Sequence, residues 1–209
     1  MTFSWTTFLI LLFTVVVTFA MTGILAARWT TWRRYFALRD WARSRRLRLL
    51  RRDQMPEDLP EGLAILRPPL RLRWHLTDGC LTLMRAHRAE RTCNLLLLRI
   101  AGGWPATGLR SARRQWTALD WLELFSFPSS HGAQRFTLHG REPIAARRLS
   151  DSLVRGLLPP DLSILLDGNV MLIDFSDRPF DPIELDRIIT LSRQIAAALP
   201  PVPRPTAAA

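Results

Sequence analysis

The chain opens with a long run of apolar positions. Residues 8–27 are twenty residues without one charged side chain. A helix rises about 1.5 Å per residue, so this run spans about 30 Å, the thickness of the hydrocarbon core of a bilayer. Its threonine hydroxyls are expected to bond to carbonyls of their own helix, which makes them tolerable in lipid. The pattern predicts one transmembrane helix, and the anchor residues assigned to it are Phe8, Leu12, Val16, Phe19 and Leu25.

A cleaved signal peptide is the competing interpretation of this run. Thr18 and Ala20 resemble a cleavage pair, but residues 1–7 contain no Lys or Arg and therefore lack a positive n-region. The run is also longer than the roughly 7–15 apolar residues of a signal-peptide core. We therefore expect an uncleaved anchor.

The two flanks of the run differ in charge. Residues 28–52 hold ten arginines and one acid, whereas residues 1–7 hold no charged side chain. Because basic flanks stay in the cytoplasm, we expect a bacterial inner-membrane protein with its N-terminus outside and residues 28–209 inside. Tryptophan rings favour the headgroup level, and the predicted interface belt is Trp5, Trp29 and Trp32. The side chains predicted to contact anionic lipid headgroups are Arg28, Arg33, Arg34, Arg39 and Arg43.

The charge excess is local. The chain has a formal charge of +11, of which residues 28–52 carry +9 and residues 53–209 only +2. A basic cluster beside a bilayer is explained by anionic lipid, so no nucleic-acid partner is expected. Basic and aromatic residues that interleave after the span also occur in single-strand binders, which keeps a nucleic-acid-binding membrane protein as a weak alternative. An interfacial helix with snorkelling arginines is the preferred interpretation.

A face of small residues runs along the predicted span. Four of them are spaced four apart: Thr14, Thr18, Thr22 and Ala26. Such a face lets two helices pack closely in lipid, which makes a homodimer through the span a possible arrangement. The alternative is that small residues are simply common in spans.

Composition divides the remainder of the chain. After the anchor at residues 1–27, residues 28–52 are predicted to be a basic juxtamembrane helix, with helix most evident to residue 46 and a weak strand signal at Leu47 and Leu49. Prolines and acids at residues 53–69 indicate a linker. Residues 70–199 are predicted to form a cytoplasmic domain. Residues 200–209 are a proline-rich tail that we expect to be disordered.

The first half of the predicted domain reads as strands. Alternation at residues 70–76 and 80–86 around an Asp-Gly turn predicts a hairpin. The apolar run at residues 93–100 predicts a third, central strand. Residues 101–114 contain three glycines and a proline and are predicted to be a loop, while residues 116–127 are ambiguous between a short helix and a strand.

The second half alternates strands and helices. Residues 135–139 predict a strand, and Pro143 suits the first turn of a helix. The face of that helix expected to point inward is Ile144, Leu149, Leu153 and Leu157. Residues 162–166 and 170–175 flank Asp167-Gly168-Asn169 and predict a second hairpin, and Asp181 is the expected N-cap of a last helix. The fold class is therefore α+β, with one transmembrane helix followed by an antiparallel sheet and flanking helices.

A resemblance rests on the run RFTLHGREPIAARRLSDSLVRGLLPPDLSILLDGNVMLIDF and the helix that follows it. This stretch, residues 135–199, resembles the end of uncharacterised bacterial single-pass membrane proteins. The likeness is a pattern of apolar positions and implies an N-terminal anchor with a strand, helix, hairpin and helix. It assigns no active site.

Candidate metal ligands cluster in the predicted hairpin region: His75, Cys80, His87 and Cys93. Zinc sites usually need ligand pairs two to five residues apart, and these spacings are looser, so a structural thiol is the preferred interpretation. A disulfide between Cys80 and Cys93 is geometrically possible across two strands. The cytoplasm is reducing, however, and free thiols are expected.

Two further clusters contain residue types that serve in catalysis or cation binding. Ser129-Ser130-His131 offers a nucleophile and a base, but adjacent residues in such a loop more often form a turn. Asp174, Asp177 and Asp181 are better explained as a solvated loop and an N-cap than as a cation site. No phosphate-binding loop or hydrolase motif is present in the sequence, so no catalytic, cofactor-binding or metal residue is assigned.

These observations favour a membrane-anchored interaction or scaffolding module without catalytic activity, bound to anionic lipid and to an unidentified protein partner. The alternative is a membrane-bound, hydrolase-like enzyme that uses scattered residues. A deep site that collects several of the four histidines would favour the enzyme: His75, His87, His131 and His139. A broad apolar patch would favour the interaction module.

Overall fold

The computed structural model describes residues 4–49, 71–88, 91–121, 124–127, 135–153 and 156–200. The chain divides into two compact units, Met1–Ser44 and Arg45–Ala209. The predicted linker at residues 53–69, Ser129-Ser130-His131 and most of the predicted tail lie outside the described residues. The predicted domain boundaries therefore stay predictions.

The first unit contains one helix, α1, at Trp5–Ser44. It is 40 residues long, which corresponds to about 60 Å, or twice the hydrocarbon thickness of a bilayer. No proline interrupts it, and the helix continues through the arginine-rich segment as predicted. Arg46 follows with a left-handed φ of 58°, a conformation that often ends a helix.

The second unit is built on a seven-stranded antiparallel sheet. Its strands are β1 (Arg48–Leu49), β2 (Arg71–Thr77), β3 (Leu81–Arg88), β4 (Arg91–Ser111), β5 (Phe125–Phe127), β6 (Phe136–Gly140) and β7 (Ser163–Asp174). The helices are a 3₁₀ turn (Ala118–Trp121), α2 (Pro143–Leu153) and α3 (Pro182–Ala198). The first predicted hairpin, the weak strand signal at Leu49 and the predicted α+β class are confirmed.

Strand β4 is the centre of the sheet. Its first half pairs with β3 and its second half with β6, while β7 pairs with it along both halves. The prediction of a loop at residues 101–114 is wrong, because β4 continues to Ser111. Register shifts between Arg99, Trp104 and Thr107 absorb the Gly and Pro residues as an irregularity, and Gly102 takes a φ of 106° there.

Strand β7 replaces the second predicted hairpin. The two apolar runs do not pair with each other, because Leu166 pairs with Thr107 and Val170 with Arg99 of the same partner strand. Gly168, with a φ of 58°, lies opposite Trp104 at the irregularity of β4. The Asp-Gly-Asn sequence therefore lets β7 follow the bend of β4 rather than reverse the chain.

Both faces of the sheet are covered. One core cluster lies under the 3₁₀ turn, whose Ala118 and Leu119 belong to it. Its sheet members are Met84, Ala86, Cys93, Leu95, Leu97, Leu165, Val170 and Leu172. Side chains alternate along a strand, and the intervening positions point to the face where α2 and α3 pack.

Helices α2 and α3 begin where the sequence predicts. Asp181 caps α3 by accepting the Glu184 N–H at 3.0 Å, and Pro143 is the first residue of α2. Ile144, however, is 67 % exposed, so its inward assignment is wrong. Ile144 lies outside the buried face of α2. The residues of that face are Ala145, Ala146, Leu149, Ser150 and Leu153.

Candidate functional site

Helix α1 is long and apolar enough to cross a membrane. Within Phe8–Ser44, an 18-residue window has a mean hydropathy of 2.6, and none of that window is buried inside the protein. A core helix of a globular protein would have at least one covered face. The apolar part of α1 is therefore not a core helix.

The predicted anchor residues all point away from protein. Phe8, Leu12, Val16, Phe19 and Leu25 are between 49 and 76 % exposed. Leu9, Ile10, Leu11 and Phe13 are also exposed, so large apolar side chains lie on every side of the helix and leave no polar face for water. This distribution suits a helix that lipid surrounds.

The threonines of the span satisfy their hydroxyls internally. Thr14 donates to the Ile10 carbonyl, Thr18 to the Thr14 carbonyl and Thr22 to the Thr18 carbonyl, each at 2.8 Å. This confirms the expected bonds to the helix backbone. The face that these residues share with Ala26 therefore offers methyl groups and small volume to a neighbouring helix.

The tryptophans of the predicted belt are exposed at both ends of the run. Trp5 and Trp29 are 24 residues apart in one helix, which places them about 36 Å apart along its axis. That separation is slightly more than the hydrocarbon thickness of about 30 Å. Both rings can therefore lie at headgroup level when α1 crosses a bilayer, with Trp32 one turn beyond.

The five predicted lipid-contact arginines are exposed and form no ion pair within the described part of the chain. Their depths differ, since Arg34 lies about 9 Å and Arg43 about 22 Å beyond Arg28 along the helix. The headgroup layer is about 5–8 Å thick on each side of the hydrocarbon. On a helix along the bilayer normal, the backbone of Arg28 lies at headgroup depth. Arg33 and Arg34 lie about 9–10 Å beyond Ala27 and reach headgroups only through their long side chains, whereas Arg39 and Arg43 lie past them.

The predicted interface belt leaves out Phe36, although Phe36 is one of the aromatic residues that interleave with arginine after the span. Leu25, Trp29, Trp32 and Phe36 are exposed and spaced four, three and four residues apart, so they share one face of α1. This spacing is present in the sequence as a heptad-like signal that continues past the apolar run.

The described histidines of the second unit are not gathered in one site. His87 lies on β3, where its Nδ1 is 2.8 Å from the Thr92 hydroxyl, and His139 lies on β6. Burial and the Arg110 guanidinium lower the pKa of His139, against the opposing charge of Asp120. His131 and the His75 side chain lie outside the described residues, within which no group of three or more potential metal ligands occurs.

The two cysteines lie at different places in the sheet. Cys80 is exposed beside the first hairpin turn, and Cys93 is buried opposite Ala86. Both are free, as the sequence predicts. Six strand positions separate the two along the ladder, or about 20 Å. Burial, followed by the nearby Asp174 carboxylate, raises the pKa of Cys93 to about 12.

The aspartate cluster after β7 is partly internal. Asp174 is fully buried, lies 2.9 Å from the Arg114 guanidinium and accepts the Ala118 N–H at 2.5 Å. Its assignment to a solvated loop is wrong, because Arg114 supplies a buried counter-charge that the sequence did not reveal. Asp177 is 53 % exposed and lies 3.0 Å from the same guanidinium, while Asp181 is the expected N-cap.

Comparison with known proteins gives a likeness of fold. No family model and no curated protein sequence matches this chain. The fold is similar to the crystal structure of the mycobacterial trehalose monomycolate transport factor A, TtfA, with a TM-score of 0.54 and 14 % sequence identity. The match covers 80 % of this chain and 97 % of that chain. The resemblance of residues 135–199 to uncharacterised single-pass proteins stays a prediction.

Proposed function

We propose that this chain is an anchored accessory protein of a bacterial inner membrane. In this proposal α1 crosses the bilayer with its N-terminus outside, and the α+β unit acts in the cytoplasm as a non-catalytic interaction or scaffolding module. The observation that carries it is the fully exposed apolar helix of span length. In water such a surface would far exceed the few hundred Å² that soluble monomers normally expose.

The arginines after the span support the proposed membrane location and orientation. Arg28, Arg33 and Arg34 lie within reach of headgroups, and each basic side chain near an anionic surface gains about 1 kcal/mol. The N-terminal flank offers no competing basic side chain. The same asymmetry supports a cytoplasmic location of the second unit.

The solved structure with a similar fold supports an accessory role. That protein is a transport factor, and only this general kind of role enters the proposal. The anchor and the binding of another membrane component are proposed from this chain's own residues, and no nucleic-acid partner is proposed. A homodimer through the face of Thr14, Thr18, Thr22 and Ala26 belongs to the same proposal, and van der Waals packing would hold it because the hydroxyls are already bonded.

Reporter fusions test the proposed orientation, and membrane extraction tests the proposed anchor. A fluorescent protein that folds only in the cytoplasm, fused after Ala209, is expected to be active, and a periplasm-dependent phosphatase at the same position inactive. The chain should stay in the membrane pellet after alkaline carbonate. Release by carbonate would contradict the proposed anchor, and phosphatase activity at the C-terminus would contradict the proposed orientation.

Two sets of variants sharpen this test. Replacing all ten arginines of residues 28–52 with Gln removes the charge asymmetry and is expected to give a mixed orientation, whereas replacing Arg141, Arg147 and Arg148 of the second unit with Gln should not. Replacing Thr18 and Thr22 with Leu is expected to reduce crosslinked dimer. Unchanged crosslinking would contradict the homodimer but would not bear on the proposed location and orientation.

A further inference from the structure

One face of α1 carries aromatic side chains first and arginines afterwards. We name this face the aromatic seam: Leu25, Trp29, Trp32, Phe36, Arg39 and Arg43. At about 100° per residue these six positions fall within an arc of about 80°. Their spacing of four and three residues is that of a helix–helix contact seam.

Two rings of the aromatic seam contact each other and remain exposed. Trp32 and Phe36 meet edge to face with ring centroids 5.8 Å apart. Trp29 and Trp32 remain more than 60 % exposed and Phe36 is 45 % exposed. The seam therefore presents preformed apolar surface.

Lipid can cover only the first part of the aromatic seam. Trp29 lies about 3 Å beyond Ala27 along the helix axis, while Phe36 lies about 13 Å beyond it. The headgroup layer is only about 5–8 Å thick, and α1 continues without a break to Ser44. Phe36 thus stays exposed beyond the depth that lipid can cover, one turn before Arg39 and two turns before Arg43, both without ion pairs among the described residues.

We infer that the aromatic seam binds a membrane-spanning helix of another protein, one whose apolar stretch extends past the headgroups and is followed within two turns by Asp or Glu. Apolar side chains of that helix cover Trp32 and Phe36, and its carboxylates meet Arg39 and Arg43. A second copy fits the aromatic seam poorly, because parallel pairing at this spacing sets Arg39 against Arg39 and Arg43 against Arg43. The homodimer proposed through Thr14, Thr18 and Thr22 uses the same side of α1, so its two helices would cross near Thr18 and diverge before Phe36. The inference deepens the proposed function and rests on its anchor.

The test uses the full chain in phosphatidylcholine vesicles, which carry no net charge. The probe is a designed single-span peptide with a leucine-rich span, two further aliphatic turns and two glutamates, labelled with dansyl to accept energy from tryptophan. A sister peptide carries two lysines instead. Association with the glutamate peptide is expected, and Arg43→Glu should weaken it about tenfold while improving association with the lysine peptide.

Arg147 supplies the control, because it is an exposed arginine of α2 that forms no ion pair within the described residues and lies outside α1. Arg147→Glu is expected to leave association unchanged. Phe36→Ala, which keeps every tryptophan donor in place, should weaken association with the glutamate peptide. Equal binding of the two peptides, equal effects of the two Arg→Glu variants, or an inert Phe36→Ala variant would overturn the inference. Carbonate extraction of the same vesicles separates the two proposals: a retained chain that binds no peptide refutes the aromatic seam alone, whereas a released chain refutes the anchor.

Discussion

The Arg114 guanidinium lies 2.9 Å from the carboxylate of Asp174, and the two side chains are only 6 % and 0 % exposed. Asp174 is the last residue of β7, and Arg114 precedes the 3₁₀ turn that covers one face of the sheet. The same carboxylate accepts hydrogen bonds from the Ala118 and Ser176 backbone N–H groups. The pair therefore joins the sheet to the segment that closes its core.

Loss of Arg114 should be among the most damaging single changes in the second unit. Arg114→Leu leaves the Asp174 carboxylate buried without its counter-charge, and we expect a loss of about 3–5 kcal/mol in the free energy of unfolding. Urea titration of the full chain in detergent measures it. Arg113→Leu, at an exposed neighbouring position, is the control. Equal effects of the two variants would show that the buried pair contributes little.

The ion pair of Asp161 and Arg178 predicts a pH dependence. Arg178 donates to Asp161 from Nε at 2.6 Å and from Nη2 at 3.0 Å, and these bonds lower the pKa of Asp161 from its ordinary 3.8. A carboxyl whose pKa is lower in the folded state stabilises the fold above its unfolded pKa, and this contribution is lost as pH falls through the folded value. We expect Asp161→Asn to lower the urea midpoint at neutral pH and the difference to shrink below about pH 4.

The control for this pH series is Asp151→Asn, an exposed carboxylate of α2 that makes no hydrogen bond or ion pair within the described residues. Its midpoint should follow the wild type throughout. A difference in urea midpoint between Asp161→Asn and the wild type that stays constant below about pH 4 would show that protonation of Asp161 does not cause the pH dependence.

Gly140 is predicted to be intolerant of a side chain. A Cβ there would lie 2.8 Å from the Ala106 carbonyl oxygen and 3.2 Å from the Thr107 Cα, both of them backbone atoms that cannot turn aside. Gly140→Ala should therefore lower the free energy of unfolding by about 1–3 kcal/mol. Gly103→Ala meets nothing within 4 Å and should change it little. Similar thermal midpoints for the two variants would disprove the close contact.

The two thiols should react very differently. Cys80 is exposed, whereas Cys93 is buried with a pKa raised to about 12, so it holds almost no thiolate at neutral pH. A thiol reagent is expected to label one cysteine in the folded chain and both in denaturant. Cys80→Ser should abolish labelling of the folded chain. Rapid labelling of Cys93 in that variant would mean that the sheet opens under native conditions.

Elements with a local signal were predictable from the sequence. The apolar run, the first hairpin and the capped start of α3 each depend on residues close together in the chain. The hydroxyl bonds of the span followed from the same reasoning, because a threonine four residues after a carbonyl needs no tertiary partner.

Errors arose where tertiary pairing overrode local signals. Gly102, Gly103 and Pro105 are typical of a loop. In the structure they lie within β4, where the β4–β7 pairing shifts register and both strands bend. Asp167-Gly168-Asn169 is typical of a hairpin turn, yet the two runs that flank it both pair with β4 rather than with each other. The Arg114–Asp174 pair joins residues 60 positions apart, and nothing in the local pattern indicates that distance.

Because β4 and β7 each run through both halves of the sheet, neither half can be removed without cutting a strand of the other. The second unit is therefore one cooperative element despite its bend. Amide protons near Leu97 and near Leu109 should exchange with solvent through the same global opening. A force transmitted along the chain would then meet a single barrier rather than two in series.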